Sequence, residues 1–214
     1  MTDETTKPDA PRPGLRERKK LEKAQLICAA ARKLFTTLGY EATTLREVAR
    51  EADVGFGTVF NYATDKAGLL AMVYVDELQR LPRLFKAPSA RRSLVNELAD
   101  AFLTLYDFWA QNAALARIVL PQMEFYGSNP HTDRILARRE LVKAELAAWL
   151  DDCRARGRVA EGVDTAQAAA TLFAIYTSAL REWITSEALD RDEGRKRLAW
   201  LLALPLAAIE KPKG

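Results

Sequence analysis

Histidine occurs once and cysteine twice in 214 residues. One histidine cannot supply the paired Glu-x-x-His motifs of a di-iron carboxylate bundle, and the Cys/His spacings of a zinc site are absent. Cys28 and Cys153 lie in separate helical patterns. That excludes a disulfide framework and fits buried or half-buried thiols of a cytosolic protein. No glycine-rich phosphate loop or nucleophile elbow occurs, so neither an enzyme activity nor a cofactor is expected. No apolar run is long and charge-free enough to cross a membrane, and none resembles a signal peptide; the expected location is cytoplasmic. An excess of one charge is also lacking. The 32 basic and 29 acidic residues leave a net charge of +3, too little for a histone-like polycation but compatible with one local basic surface. Strand-like alternation and internal repeats are missing too, which points to an all-α chain.

What is present begins with TLREVAREADVGFGTVFNYATDK, Thr44 to Lys66. Thr44 and Glu47 have capping-box spacing. Leu45, Val48, Ala49 and Ala52 share one helical face. Asp53-Val54-Gly55 breaks the helix, because Asp and Gly tolerate tight-turn backbone. Gly57 to Tyr62 forms a short second helix with Val59 and Phe60 available to pack inward, and Thr64-Asp65 caps a third. Upstream, Ala24, Ile27, Cys28, Ala31, Leu34, Phe35 and Leu38 form a 3.6-period stripe that Gly39 ends. A long supporting helix before two short ones is the pattern of a helix-turn-helix, which lays a short helix in the DNA major groove.

The run from Ala30 to Leu70 resembles the N-terminal domain of the TetR family of bacterial transcription regulators. The matching elements are Ala30, Leu34-Phe35, Gly39-Tyr40, Thr43-Thr44, Val48-Ala49, Gly57-Thr58, Phe60, Tyr62, Lys66 and Leu69-Leu70. The remainder resembles the family only in length and helical pattern. The resemblance implies that Thr43 and Thr44 meet phosphate at the start of the second helix, that Gly57 and Thr58 open the recognition helix, and that Tyr62 and Lys66 contact phosphate. Such contacts position a protein on DNA rather than read sequence. Two departures stand out. The family often has Gly-Val-Ser where this chain has Asp53-Val54-Gly55, so the recognition helix lacks a side-chain N-cap oxygen. The next residue, often polar, is Phe56, which either packs on a thymine methyl or folds back onto the domain. Asn61 either pairs with adenine or touches phosphate alone. Arg16, Arg18, Lys19, Lys20 and Lys23 begin the first long helix, as a DNA-binding arm or as a solvated basic helix start.

Residues 1–15, rich in Thr, Pro, Asp and Lys, are expected to be a disordered tail, 16–66 the DNA-binding domain, and 67–214 an effector-binding and dimerisation domain. Pro82 and Pro88 mark a linker or kink. Further helices are expected over Ser93 to Asn112, around Ala114 to Glu124 (bent or ended by Pro121), and over His131 to Arg156. Gly127 to Pro130 reads as a loop and Gly157 as a stop. Two last helices follow, Thr165 to about Ser186 and Asp190 to Ile209. Both are apolar on more than one face, which calls for partners on several sides: a second copy, or packing within one chain. The family resemblance implies a homodimer through these helices, reading a palindromic double-stranded DNA operator. It also implies a small apolar or amphipathic effector between the middle helices, whose binding changes the spacing of the two DNA-reading heads, and a repressor more than an activator. Phe102, Tyr106, Trp109, Phe125, Tyr126, Trp149, Phe173 and Tyr176 are the aromatic candidates for that pocket, with Arg117 as a polar contact, although aromatic sets at helical spacing are more often core than pocket. A helical interaction module without sequence-specific DNA binding is the alternative.

Overall fold

The computed structural model describes residues 14–125 and 130–211, with side chains left undescribed over 122–125. The expected tail before Gly14, the loop residues Gly127 to Asn129, and the pocket candidates Phe125 and Tyr126 therefore lie outside the described side chains. Among the described residues there are nine helices and no strand. The chain divides into two compact units, residues 1–69 and 70–214.

The first unit holds α1 (Leu15–Thr37), α2 (Leu45–Glu51), α3 (Phe56–Phe60) and the start of α4 (Lys66–Leu78). Its core is Ile27, Ala31 and Phe35 from α1, Val48 and Ala49 from α2, and Val59 from α3. Leu38, expected on the α1 stripe, is half exposed because it sits past the last helical turn as the C-cap. Gly39 then takes φ +85°, the left-handed shape glycine adopts without a Cβ clash. The Thr44–Glu47 capping box forms in both directions. Thr44's hydroxyl and N–H hold the Glu47 carboxyl below the usual carboxylate range. In the turn it is Asp53, at φ +51°, that takes the left-handed shape, while Gly55 is the extended N-cap of α3. Asp65 starts α4, accepting from the Gly68 N–H at 2.6 Å.

The second unit holds the rest of α4, then α5 (Leu94–Ala110), α6 (Ala113–Phe125), α7 (Pro130–Ala155), α8 (Thr165–Ile184) and α9 (Arg191–Ile209). Ser93, Asp164 and Asp190 cap α5, α8 and α9 with side-chain oxygens. Pro121, expected to bend or end its helix, lies inside α6, which continues to Phe125. A proline removes one helix hydrogen bond, and Leu115, Ala116 and Val119 hold the preceding turns in the core. Leu98, Phe102, Tyr106, Leu146, Leu150, Leu172 and Leu202 are almost fully buried. Arg158 pins the segment before α5: it donates to Glu97 Oε1 and the Ser89 carbonyl at 2.7 Å each, and to the Arg92 carbonyl at 2.6 Å. Cys28 and Cys153 are both buried and unbridged. Burial pushes the Cys153 thiol up to about 12, so it stays protonated and inert at neutral pH.

Candidate nucleic-acid interface and ligand cavity

On the first unit, Arg16, Lys19, Lys20 and Lys23 from α1, Thr58 from α3, and Asn61 and Tyr62 just past its end line one shallow concavity. The four cations follow i, i+3, i+4, i+7 spacing, so a single helical face presents them. Arg18 points out of this set; it is exposed but does not line the concavity. The turn after α3 is tied to α1 where the Tyr62 hydroxyl donates to the Lys20 carbonyl at 2.8 Å. Phosphate oxygens only accept, so a Tyr62 proton held by Lys20 is not also available to DNA.

The other family-implied contacts separate on geometry. Thr43 is 1% exposed and its hydroxyl donates to the Gly39 carbonyl at 2.8 Å. Its side chain therefore holds the α1–α2 loop, and the hydroxyl is not presented to phosphate as the expectation had it. Thr44 is exposed, with its hydroxyl engaged by Glu47. Lys66 donates to the Glu41 carbonyl at 3.0 Å, lies 3.5 Å from the Glu41 carboxylate and sits 4.5 Å over the Tyr40 ring. Its ammonium is anchored within the unit, and the side chain remains a quarter exposed. A Cβ at Gly57 would meet nothing within 4 Å. No internal packing explains the missing side chain, whereas close approach by an outside surface would.

Phe56 does not fold back. It is 44% exposed, and Phe60, expected to face inward, is 47% exposed. A five-residue helix has one inward face, and Val59 occupies it. Phe56 and Phe60, four residues apart, instead pair outward with ring centroids 6.1 Å apart, and the Arg46 guanidinium lies 5.7 Å over Phe56. Asn61 is the exposed C-cap of α3.

In the second unit a mostly apolar cleft with about 70 Å³ of accessible space lies among α4, α5, α6, α7 and α8, well below the roughly 300–1,000 Å³ of most small-molecule sites. Of the aromatic candidates, Trp109, Phe173 and Tyr176 line it; Phe102, Tyr106 and Trp149 do not. Those three are core: Phe102 stacks on Tyr176 at 4.5 Å, Tyr106 lies 4.7 Å from Trp183, and Trp149 packs near Phe85. Arg117 is also spent elsewhere, donating to the Ile184 and Ser186 carbonyls at the end of α8. Burial pushes the Tyr176 hydroxyl well above the usual tyrosine range, so it stays neutral, and it is bonded to Trp109. Arg138, Arg139 and Arg181 also line the cleft and were not singled out from sequence. Their signal was present: Arg138 and Arg139 fall between Ile135 and Val142, on the buried side of α7.

Residues 27–73 match the model of the family described as bacterial regulatory proteins, tetR family. The chain is 38% identical over 66 residues to the HTH-type transcriptional regulator HbdR of Aromatoleum, covering 29% of each chain. It is 36% identical over 73 residues to the HTH-type transcriptional repressor KstR of Rhodococcus jostii, covering 34% of each. These matches span about a third of the relatives' length. Over the whole chain the fold resembles a TetR-family transcriptional regulator from Pectobacterium atrosepticum (TM-score 0.66, 20% identity, covering 92% of this chain and 98% of that one). It also resembles Thermus thermophilus FadR, a TetR-family repressor solved with lauroyl-CoA (TM-score 0.60, 24% identity, covering 89% and 97%).

Proposed function

From a TetR-family helix-turn-helix domain at residues 27–73, followed by a helical bundle with the TetR fold, we propose that this chain is a DNA-binding transcription regulator. In this reading it is a repressor that binds a palindromic operator as a homodimer and is released by a small apolar or amphipathic effector. The observation that carries the reading is the joint surface of α1 and α3. Four cations of one helix face line a concavity with the exit of the recognition helix, next to a glycine that nothing inside the unit requires. Cations on that face supply sequence-independent affinity by displacing counterions from phosphate. Phe56, Gly57, Thr58 and Asn61 are the residues left to face base edges, with Thr44, Tyr62 and Lys66 supporting them.

Homodimerisation has its own support. Leu198, Leu202 and Leu206 bury one side of α9, while Trp200 is 68% and Leu204 81% exposed on another. With Ala203, Ala207 and Ala208 also exposed, the helix keeps an apolar face in solvent that a second copy would cover. Two copies suit a DNA site of two half-sites. The cleft in the second unit is the effector site in this reading. A ligand that prefers the form unable to bind DNA shifts the population toward it.

The test is selection of bound sequences from a random duplex pool at physiological salt. Enrichment of a palindrome with half-sites about one helical turn apart is expected. Salt-sensitive binding without any enriched sequence would overturn the reading and favour a helical interaction module.

A further inference from the structure

The helix read as entering the major groove carries no charge. α3 consists of Phe56, Gly57, Thr58, Val59 and Phe60. The commonest specific contact to a base edge, a guanidinium on O6 and N7 of guanine, therefore has no donor on it. The four cations of α1 share their concavity with Thr58, Asn61 and Tyr62, and not with Phe56 or Phe60. The guanidinium that meets α3 comes from α2 instead. Arg46, in the first turn of α2, is exposed and lies over the Phe56 ring, 5.7 Å from its centre. Phe56 in turn pairs with Phe60 at 6.1 Å, and both rings are nearly half exposed. Lys33 and Lys66 of the same unit are paired with Glu51 and Glu41, whereas among the described residues no carboxylate pairs with Arg46.

We propose that Arg46 reads sequence as a pair with Phe56: the ring covers a thymine methyl, and the guanidinium held over it forks onto O6 and N7 of a guanine one or two base pairs away. This rests on the reading of the first unit as a DNA-binding domain. The attraction between a cation and a phenyl face holds the guanidinium in place and leaves its planar fork of N–H donors for a base. The separation sets the reach. Successive nucleotides of a strand rise about 3.4 Å, so groups 5.7 Å apart address base pairs one or two steps from each other. Each half-site then carries a guanine close to a thymine. An aromatic ring and a guanidinium together supply what α3 lacks by itself, an apolar contact and a bidentate donor directed at the same groove.

The test uses the full chain and the duplex enriched from the random pool. Its half-site is expected to hold a guanine within two base pairs of a thymine. Replacing that guanine with 7-deazaguanine keeps Watson–Crick pairing and removes the N7 acceptor, so binding should fall roughly tenfold. This first measurement needs no variant. With Arg46→Ala the same replacement should change binding by less than about twofold. Arg46→Lys keeps the charge but loses the fork, and most of the discrimination should go with it. Phe56→Ala should lower the discrimination as well, because the guanidinium loses its support. Arg50→Ala removes an exposed arginine one turn further along α2 and should leave the discrimination intact. Circular dichroism checks that each variant folds. If Arg46→Ala weakens every duplex alike and flattens the salt dependence by about one counterion, Arg46 sits on phosphate and the proposal is overturned. An enriched half-site without a guanine near a thymine, or a parent protein indifferent to 7-deazaguanine, overturns it too and leaves the regulator reading standing. A pool that yields no enriched sequence overturns the regulator reading itself, and this inference with it.

Discussion

The hydroxyl of Tyr62, just past the end of α3, donates to the main-chain carbonyl of Lys20, forty-two positions earlier in the chain, at 2.8 Å. That bond joins the exit of α3 to α1, the helix that carries the basic face, and both residues line the same concavity. Removing it with Tyr62→Phe is expected to cost about 1 kcal/mol of stability in the first unit, measured by chemical denaturation. DNA binding should weaken a few-fold on every sequence alike, with an unchanged dependence on salt. Replacing Arg16, Lys19 or Lys23 by Ala should do the opposite. Stability should hold, while each substitution flattens the salt dependence by roughly one counterion. A salt slope that changes with Tyr62→Phe and not with the lysines would reverse these roles.

The contrast shows what the sequence could and could not disclose. Thr44 with Glu47, Asp164, Gly39 and Gly157 act where a local signal places them, because capping and left-handed turns depend on residues within a few positions. The partner of Tyr62 is distant in sequence, so no local pattern announces it. Thr43 reads like its neighbour Thr44, yet the α1–α2 loop buries it against the Gly39 carbonyl. Phe60 lies on a helix too short for a period to define its inner face. In the second unit, helical spacing marks an aromatic-rich set but cannot separate Phe102, packed against Tyr176, from Trp109, which borders the cleft. That choice depends on how the helices cross.

The outward pair of Phe56 and Phe60 bears on sequence preference. A phenyl ring makes no hydrogen bond to a base edge, and the apolar feature of the major groove is the thymine methyl. Once a preferred duplex is known, replacing its thymines singly with uracil removes that methyl and nothing else. The substitution is expected to weaken binding about fourfold at each position the rings cover, the worth of roughly one buried methyl-sized group. Phe56→Ala should make the protein indifferent to the change there, whereas Asn61→Ala should alter preference at an adenine. Equal binding of thymine and uracil duplexes throughout would leave the two rings without a part in recognition.

Gly194, in the first turn of α9, would place a Cβ 2.8 Å from Cδ1 and 2.9 Å from Nε1 of Trp183. The indole cannot retreat easily, since its Nε1 donates to the Asp190 carbonyl at 2.8 Å and its ring lies 4.7 Å from Tyr106. Gly194→Ala gains about 1 kcal/mol in helix propensity against roughly 1–3 kcal/mol for overpacking. A net loss of about 1 kcal/mol is expected as a lower denaturation midpoint with unchanged slope. A stabilised variant would mean that α9 can shift away from Trp183 at little cost.

Leu204 separates the dimer from the fold. Its side chain is 81% exposed in the single chain, so exchanging it removes no core contact, while Leu202 and Leu206 on either side are fully buried. Leu204→Glu places a charge in the centre of the apolar face that also carries Trp200. Two copies meeting there would each bury an unpaired carboxylate, at a cost of several kcal/mol. The variant is expected to keep its helical content and melting behaviour at low concentration and to sediment as a monomer. Its affinity for a palindromic duplex should fall by roughly a hundredfold or more as the two heads lose their linkage. Binding to a duplex holding one half-site should stay close to that of a single head of the parent protein, because Leu204 lies outside the first unit. A variant that still sediments as a dimer would place the contact on another face of the second unit.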